Sequence, residues 1–167
     1  MKQKKLANKK SKKYVLWFSE LTIKDVPHVG GKNASLGEMY QKLGSHGVLI
    51  PNGYAVSADA YWYFLEYNGI KNKIQEMLKG LDTNKIIDLK NRAKKIRELI
   101  LKSEFPEDLK KEIILAYKNL AKFYKISELG CDVAVRSSAT AEDAADASFA
   151  GQQESYLNIT GEYALIS

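Results

Sequence analysis

Two stretches of this chain carry residue types that bind phosphate. The first is Gly30-Gly31-Lys32-Asn33-Ala34-Ser35. Adjacent glycines let successive backbone N–H groups turn toward one anion, and a helix that starts there adds a partial positive charge. A lysine at that point can reach a phosphate oxygen. The spacing is not that of a P-loop, since Asn33 follows Lys32 and no glycine stands at the required offset. The plainer reading is a turn before a helix with a solvated Lys32. The second stretch is Val135-Arg136-Ser137-Ser138-Ala139-Thr140, followed by Ser148-Phe149-Ala150-Gly151-Gln152-Gln153. An arginine at a strand end can fork onto phosphate oxygens. Ser148 and Gly151 suit a flexible loop that lays its backbone over a polyphosphate. Here the plainer reading is a surface loop with one salt-bridged arginine. Between them, Glu142, Asp143 and Asp146 could recruit Mg2+, although acids in a loop are more often only solvated.

Other chemistries find no frame. Neither His28 nor His46 pairs with a Ser or Cys as base and nucleophile, and neither has a Cys or His partner at metal-ligand spacing. Cys131 is the single cysteine, so no internal disulfide forms, which fits a reducing compartment. It stands in an apolar run with Val133 and Val135 and is expected to be buried and inert.

Periodicity gives the elements that must hold these stretches. Val15-Leu16-Trp17-Phe18 reads as a short buried strand ending near Ser19. Residues 24–35 are expected to form a loop around the Gly-Gly pair. From about Asn33 the spacing of Leu36, Met39, Tyr40 and Leu43 is helical, and Gly44 is a natural stop. Pro51-Asn52-Gly53 marks a turn, and Tyr54-Ala55-Val56 a second strand. Ser57 is suited to cap a helix over Ala58–Asn68, with Gly69 at its end and Tyr61, Phe64, Leu65 and Tyr67 as its apolar face. Ile74, Met77, Leu78 and Leu81 predict the next helix. Thr83 is expected to cap a further one that carries Ile86, Leu89, Ala93, Ile96 and Ile100. Pro106 opens another, with Glu107 and Asp108 at its positive end and a stripe of Leu109, Ile113, Ala116, Tyr117, Leu120 and Tyr124. The Lys- and Glu-rich faces read as solvent-facing. Cys131–Val135 and Glu154–Ile159 then alternate as strands do. A helical middle flanked by β segments makes the fold class α+β or α/β.

Composition narrows the function classes. The chain has 167 residues with 45% hydrophobic and 28% charged content, ordinary for about one globular domain. Its net charge of +6 belongs to the first 13 residues, which hold seven Lys and no acid. Removing those seven from the 26 Lys and Arg leaves 19 basic against 20 acidic residues, so the body is nearly neutral. The three arginines, Arg92, Arg97 and Arg136, are scattered, which argues against nucleic-acid binding. Residues 1–13 are expected to be a solvated, disordered tail, with residues 14–167 forming the folded part. No apolar h-region follows the tail, and no apolar run approaches the roughly 20 residues that span a bilayer. A cytoplasmic protein is expected.

At the two phosphate stretches the sequence resembles a known family. VLWFSEL, then VGGKNASLGEM, then IPNGYAVSADAY resembles the opening of phosphoenolpyruvate synthases, and AVRSSATAEDAADASFAGQQESYLNI resembles that family's next signature, in the same order. The resemblance runs from about Val15 to Ser167. The wider group includes pyruvate phosphate dikinase, rifampicin phosphotransferase and glucan water dikinase. The Gly151–Glu154 stretch GQQE is most similar to the synthase branch. The resemblance implies an ATP-grasp-like nucleotide-binding domain, here the first part of one. It implies an enzyme that makes phosphoenolpyruvate from pyruvate, ATP and water through a phospho-His on a separate swivelling domain. It also implies that Lys32 and Arg136 contact ATP phosphates, and that Ser148–Gln153 closes over the triphosphate, with Gly151 and Gln152 as contacts and Gly30, Gly31 and Ser148 as supporting loop positions.

Set against that family, the sequence is expected to lack the second half of the nucleotide domain, the Mg2+ ligands, the phospho-accepting His and the pyruvate barrel. The 167 residues alone are therefore expected to be inactive. They would be a portion of a longer polypeptide, a truncated reading frame or one piece of a split enzyme whose other domains are its partners. Two alternatives stand beside this. One is a non-catalytic remnant that binds a partner. The other is the same portion of a rifampicin phosphotransferase-like enzyme.

Overall fold

The unbroken apolar run Val15-Leu16-Trp17-Phe18 decides where the first ribbon sits. The computed structural model describes residues 13–44, 46–140 and 154–167. In it β1 (Val15–Trp17) pairs antiparallel with β2 (Tyr54–Val56), placing Leu16 opposite Ala55 and Trp17 opposite Tyr54. Successive side chains of a strand point to opposite faces, so the ribbon is apolar on both sides. On one side Ala55, with Leu16 and Phe18, joins Leu21, Val29 and Ala34 of the segment that includes α1 (Val26–Gly44). On the other, Val15, Trp17 and Tyr54 meet Ala60, Leu109, Ile113 and Ala116. Ala60 comes from α2 (Ala58–Tyr67), which is followed by α3 (Lys71–Leu78) and α4 (Ile86–Leu101). The other three come from α5 (Glu107–Phe123).

One helix carries the core onward. Tyr117 and Ala121 of α5 pack with Cys131, and Val133 adds to that cluster. Val133 lies on β3 (Asp132–Arg136), which pairs antiparallel with β4 (Ser155–Thr160) before α6 (Gly161–Ile166). The described strands form two antiparallel pairs with helices between them, so the class is α+β. The α/β alternative required parallel strands joined by crossover helices, and none occurs among the described residues.

Several expectations hold. The Ser57 hydroxyl accepts the Ala60 N–H at 3.4 Å, and Gly69 takes φ +62° just past α2. Pro106 stands at the N-cap of α5 with Glu107 and Asp108 in the first turn. The stripe Leu109, Ile113, Ala116, Tyr117 and Leu120 is buried. No helix among the described residues is long and apolar enough to cross a membrane.

Other expectations are corrected. The first strand stops at Trp17, and Phe18–Glu20 is a 3-10 turn. Residues 24–35 are not a loop: helix begins at Val26, because proline in a first turn lacks only an N–H that had no partner there, and Pro27 fits. Thr83 does not cap α4. Lys85 is its N-cap, and Asp82 organises the turn by accepting from the Asn84 and Lys85 N–H groups, through Oδ1 and its carbonyl respectively. Tyr124 leaves the core and accepts the Asn52 N–H at 2.6 Å. Tyr61 and Tyr67 are about half exposed, and α2 packs through Ala60 and Leu65. Leu81 lies beyond α3, and α4 buries none of its residues, its apolar side instead lining an open cleft with Leu78 and Leu81.

Candidate phosphate site

The start of α1 is fixed from below. Thr22 accepts the Lys24 N–H at 3.3 Å while Asp25 accepts the Thr22 N–H at 2.8 Å, which closes a 3-10 turn. Glu38 accepts the Ile23 N–H at 3.1 Å, and the Gln41 side chain donates to the Leu21 carbonyl. Gly37 permits the close approach, since a Cβ there would stand 2.5 Å from the Leu21 Cβ. The helix is therefore clamped along its length to the turn that precedes it.

Gly30 breaks this helix at one residue. Its φ of +78° and ψ of 161° lie in a region essentially restricted to glycine. Residues beyond it resume helical geometry, so Gly31, Lys32 and Asn33 form the turn that follows the break. Gly30 and Gly31 are buried and Lys32 is half-buried.

The second stretch reaches the same place from the other side of the core. The Tyr117 hydroxyl, fully buried, lies 2.6 Å from the Cys131 carbonyl and 2.7 Å from that of Glu128. It also accepts the Gly161 N–H at 2.9 Å, so it ties the start of β3 and the finish of β4, which pair at one end of the ribbon, to α5. Cys131 is buried as expected, and burial pushes its thiol up from the usual range. Lys118 holds α6 beside α5 through Glu162 at 2.6 Å. Along β3, Val133 and Val135 are half-buried while Asp132, Ala134 and Arg136 are exposed. The register slips between Val133 and Val135, where Ala134 faces the extra residue of a β-bulge and Asn158 takes φ +57°.

At the end of the pair, Arg136 donates through Nε to the Ser155 hydroxyl at 3.2 Å. Ser137 and Glu154 exchange bonds: the Ser137 N–H donates to the Glu154 carbonyl at 3.2 Å and the Glu154 N–H to the Ser137 hydroxyl at 3.0 Å. Residues 137 and 154 therefore form a closed neck on either side of the intervening stretch.

The two stretches meet directly. The Ser138 hydroxyl donates to the Val29 carbonyl at 3.0 Å, a contact across 109 residues of sequence. The same carbonyl accepts the Asn33 side-chain amide at 2.9 Å. Gly30 packs so closely here that a Cβ would fall 2.2 Å from the Ser138 hydroxyl and 2.8 Å from the Ala139 carbonyl. Lys32 is two residues past Gly30 and Arg136 two before Ser138, at most roughly 7 Å of chain each. Of the residues expected from sequence, Gly30, Gly31, Lys32 and Arg136 are thus brought to one locality. Ser148, Gly151 and Gln152 lie outside the described residues, as do Glu142, Asp143 and Asp146. Ser138, Asn33 and Ser155 belong to the locality too, and nothing in one sequence pairs Ser138 with Val29. Among the described residues no group of three His, Cys, Asp or Glu side chains is placed to hold a metal ion.

The chain is similar to known proteins over most of its length. Residues 26–167 match the family model for the pyruvate phosphate dikinase, AMP/ATP-binding domain. The phosphoenolpyruvate synthase of Aquifex aeolicus is 55% identical over 152 residues, covering 91% of this chain and 18% of that protein. That of Helicobacter pylori is 54% identical, covering 92% and 19%, and that of Escherichia coli 44% identical, covering 93% and 19%. The chain spans less than a fifth of the length of these relatives. With most of its length inside that match, the chain belongs to the pyruvate phosphate dikinase AMP/ATP-binding domain family.

Proposed function

We propose that this chain is the ATP-binding portion of a phosphoenolpyruvate synthase, with Lys32 and Arg136 holding the phosphates of ATP. One observation carries the reading: the Gly30 break seats against Ser138 and Ala139, so the glycine-lysine turn and the strand-end arginine share one locality. The first-turn N–H groups after Gly30 add a positive end to two cationic side chains, a combination suited to an anion with several oxygens. Both cations would act electrostatically, neutralising charge as the phosphoryl group leaves. Ser148, Gly151 and Gln152 complete the proposal as a segment that closes over the triphosphate. Residues 14–167 would be the first part of an ATP-grasp-like domain.

In the whole enzyme the acceptor chain would run through a phospho-His to pyruvate, with water as the second acceptor. Mg2+ would accompany ATP. Among the described residues no group of three or more His, Cys, Asp or Glu side chains is placed to hold it.

Calorimetric titration with ATP and Mg2+ tests the reading. Each lost charge-assisted contact to phosphate is worth ~1.5–3 kcal/mol, about 10- to 100-fold in affinity. Lys32→Ala and Arg136→Ala should each weaken binding by that factor while leaving thermal unfolding unchanged. Unaltered affinity in either folded variant removes that residue from the site.

A further inference from the structure

We infer that Ser138 is a positioning residue, whose hydroxyl sets the lysine arm of the phosphate site against the arginine arm. The inference rests on the phosphate reading of Lys32 and Arg136. Away from the Ser138 contact, those two residues are joined through the core that their elements share on α5. Lys32 stands on α1, which packs on the β1–β2 ribbon, whereas Arg136 stands on β3, which hangs from α5 through Tyr117. At the junction itself, the Ser138 hydroxyl donates to the Val29 carbonyl at 3.0 Å.

The acceptor is well chosen for the task. Val29 is buried, and its carbonyl stands immediately before the break at Gly30. Asn33, one residue past Lys32, donates its side-chain amide to the same oxygen at 2.9 Å. Both lone pairs of that carbonyl are thereby engaged, one by each arm. Lys32 lies between the break and Asn33, so the first turn that carries it is pinned at both ends to the atom that Ser138 holds. Gly30 makes the approach possible, because any Cβ would collide with the Ser138 hydroxyl at 2.2 Å. A phosphate chain bridging Lys32 and Arg136 benefits only while the two arms keep a fixed separation, since misplacement weakens charge-assisted bonds that demand good geometry.

The test is a double-mutant cycle in ATP affinity on the full chain, read by calorimetry. Ser138→Ala should weaken ATP binding about tenfold in the unsubstituted chain. On a Lys32→Ala background the same change should cost less than twofold, because there is no longer a lysine arm to place. Hydrogen exchange at the Gly31 to Asn33 amides should quicken in Ser138→Ala without ATP, with the unfolding midpoint little changed. Equal ATP affinity for Ser138→Ala and the unsubstituted chain overturns the inference and leaves the phosphate reading standing. An equal loss on both backgrounds also overturns it, since a general structural defect is indifferent to Lys32. If the unsubstituted chain binds no ATP at millimolar concentration, the phosphate reading itself fails, and this inference with it.

Discussion

Replacing Tyr117 with Phe should release the β3–β4 pair from α5 at a cost that the structure sets. The ring is fully buried and Phe fills nearly the same volume, so no cavity opens and the loss is polar. The hydroxyl shares its one proton between the carbonyls of Cys131 and Glu128, at 2.6 and 2.7 Å, and accepts the Gly161 N–H at 2.9 Å. The Cys131 carbonyl is in buried surroundings, whereas the Glu128 carbonyl and the Gly161 N–H are partly open to water. An orphaned buried group costs ~1–3 kcal/mol and a replaced, hydrated one less. The sum is about 2–4 kcal/mol. At this chain length each kcal/mol lowers the unfolding midpoint by about 2–4 °C. Tyr54→Phe supplies the control, since its hydroxyl makes one longer bond, 3.3 Å to the Ile113 carbonyl, and should cost about 1 kcal/mol or less. Urea titration followed by circular dichroism measures both. A Tyr117→Phe cost below that of Tyr54→Phe would refute the claim that this hydroxyl anchors the arginine-bearing strands.

Gly37→Ala should destabilise by about 1–3 kcal/mol in urea, because its Cβ would stand 2.5 Å from that of Leu21 and the clamped turn cannot retreat. Leu109→Ala, at 2% exposure in the core of α5, should cost ~2–5 kcal/mol by the same measurement. Burial raises the Cys131 thiol, so the folded chain should resist alkylation at pH 8 that the urea-unfolded chain undergoes readily, with mass spectrometry as the readout. The linkage has a definite sign. With the folded value raised, the unfolded thiol ionises first, so this group's contribution is intact below the unfolded pKa and declines as pH rises through the folded one. Urea midpoints that rise with pH in alkaline solution for the native chain relative to Cys131→Ala would contradict it.

Much of the local structure was legible in the sequence, for reasons confined to a few neighbouring residues. Tyr54-Ala55-Val56 alternates, Ser57 caps, Pro106 opens a helix, and the period of Leu109, Ile113, Ala116, Tyr117 and Leu120 marks one buried face. Errors came where a local signal was outranked. Gly30 and Gly31 read as a loop, but a glycine break one residue wide leaves helix on both sides once Leu21 and Glu38 clamp the flanks. Tyr61 and Tyr67 read as part of the apolar face of α2 with Leu65, whereas both are about half exposed and that helix buries Ala60 and Leu65.

The candidate site divides in the same way. Residue type and order alone marked Gly30, Gly31, Lys32 and Arg136, and the same motifs carried the likeness to phosphoenolpyruvate synthases that the comparisons bear out. Tertiary structure decided that the two stretches are one place. Ser138 finds the Val29 carbonyl only because α5 holds the ribbon and α1 with one part of its stripe and β3 with the next, Ile113 and Ala116 serving the first and Tyr117 and Ala121 the second. A chain records which groups can bond, but a contact across 109 residues depends on packing between elements that no single stretch of sequence contains.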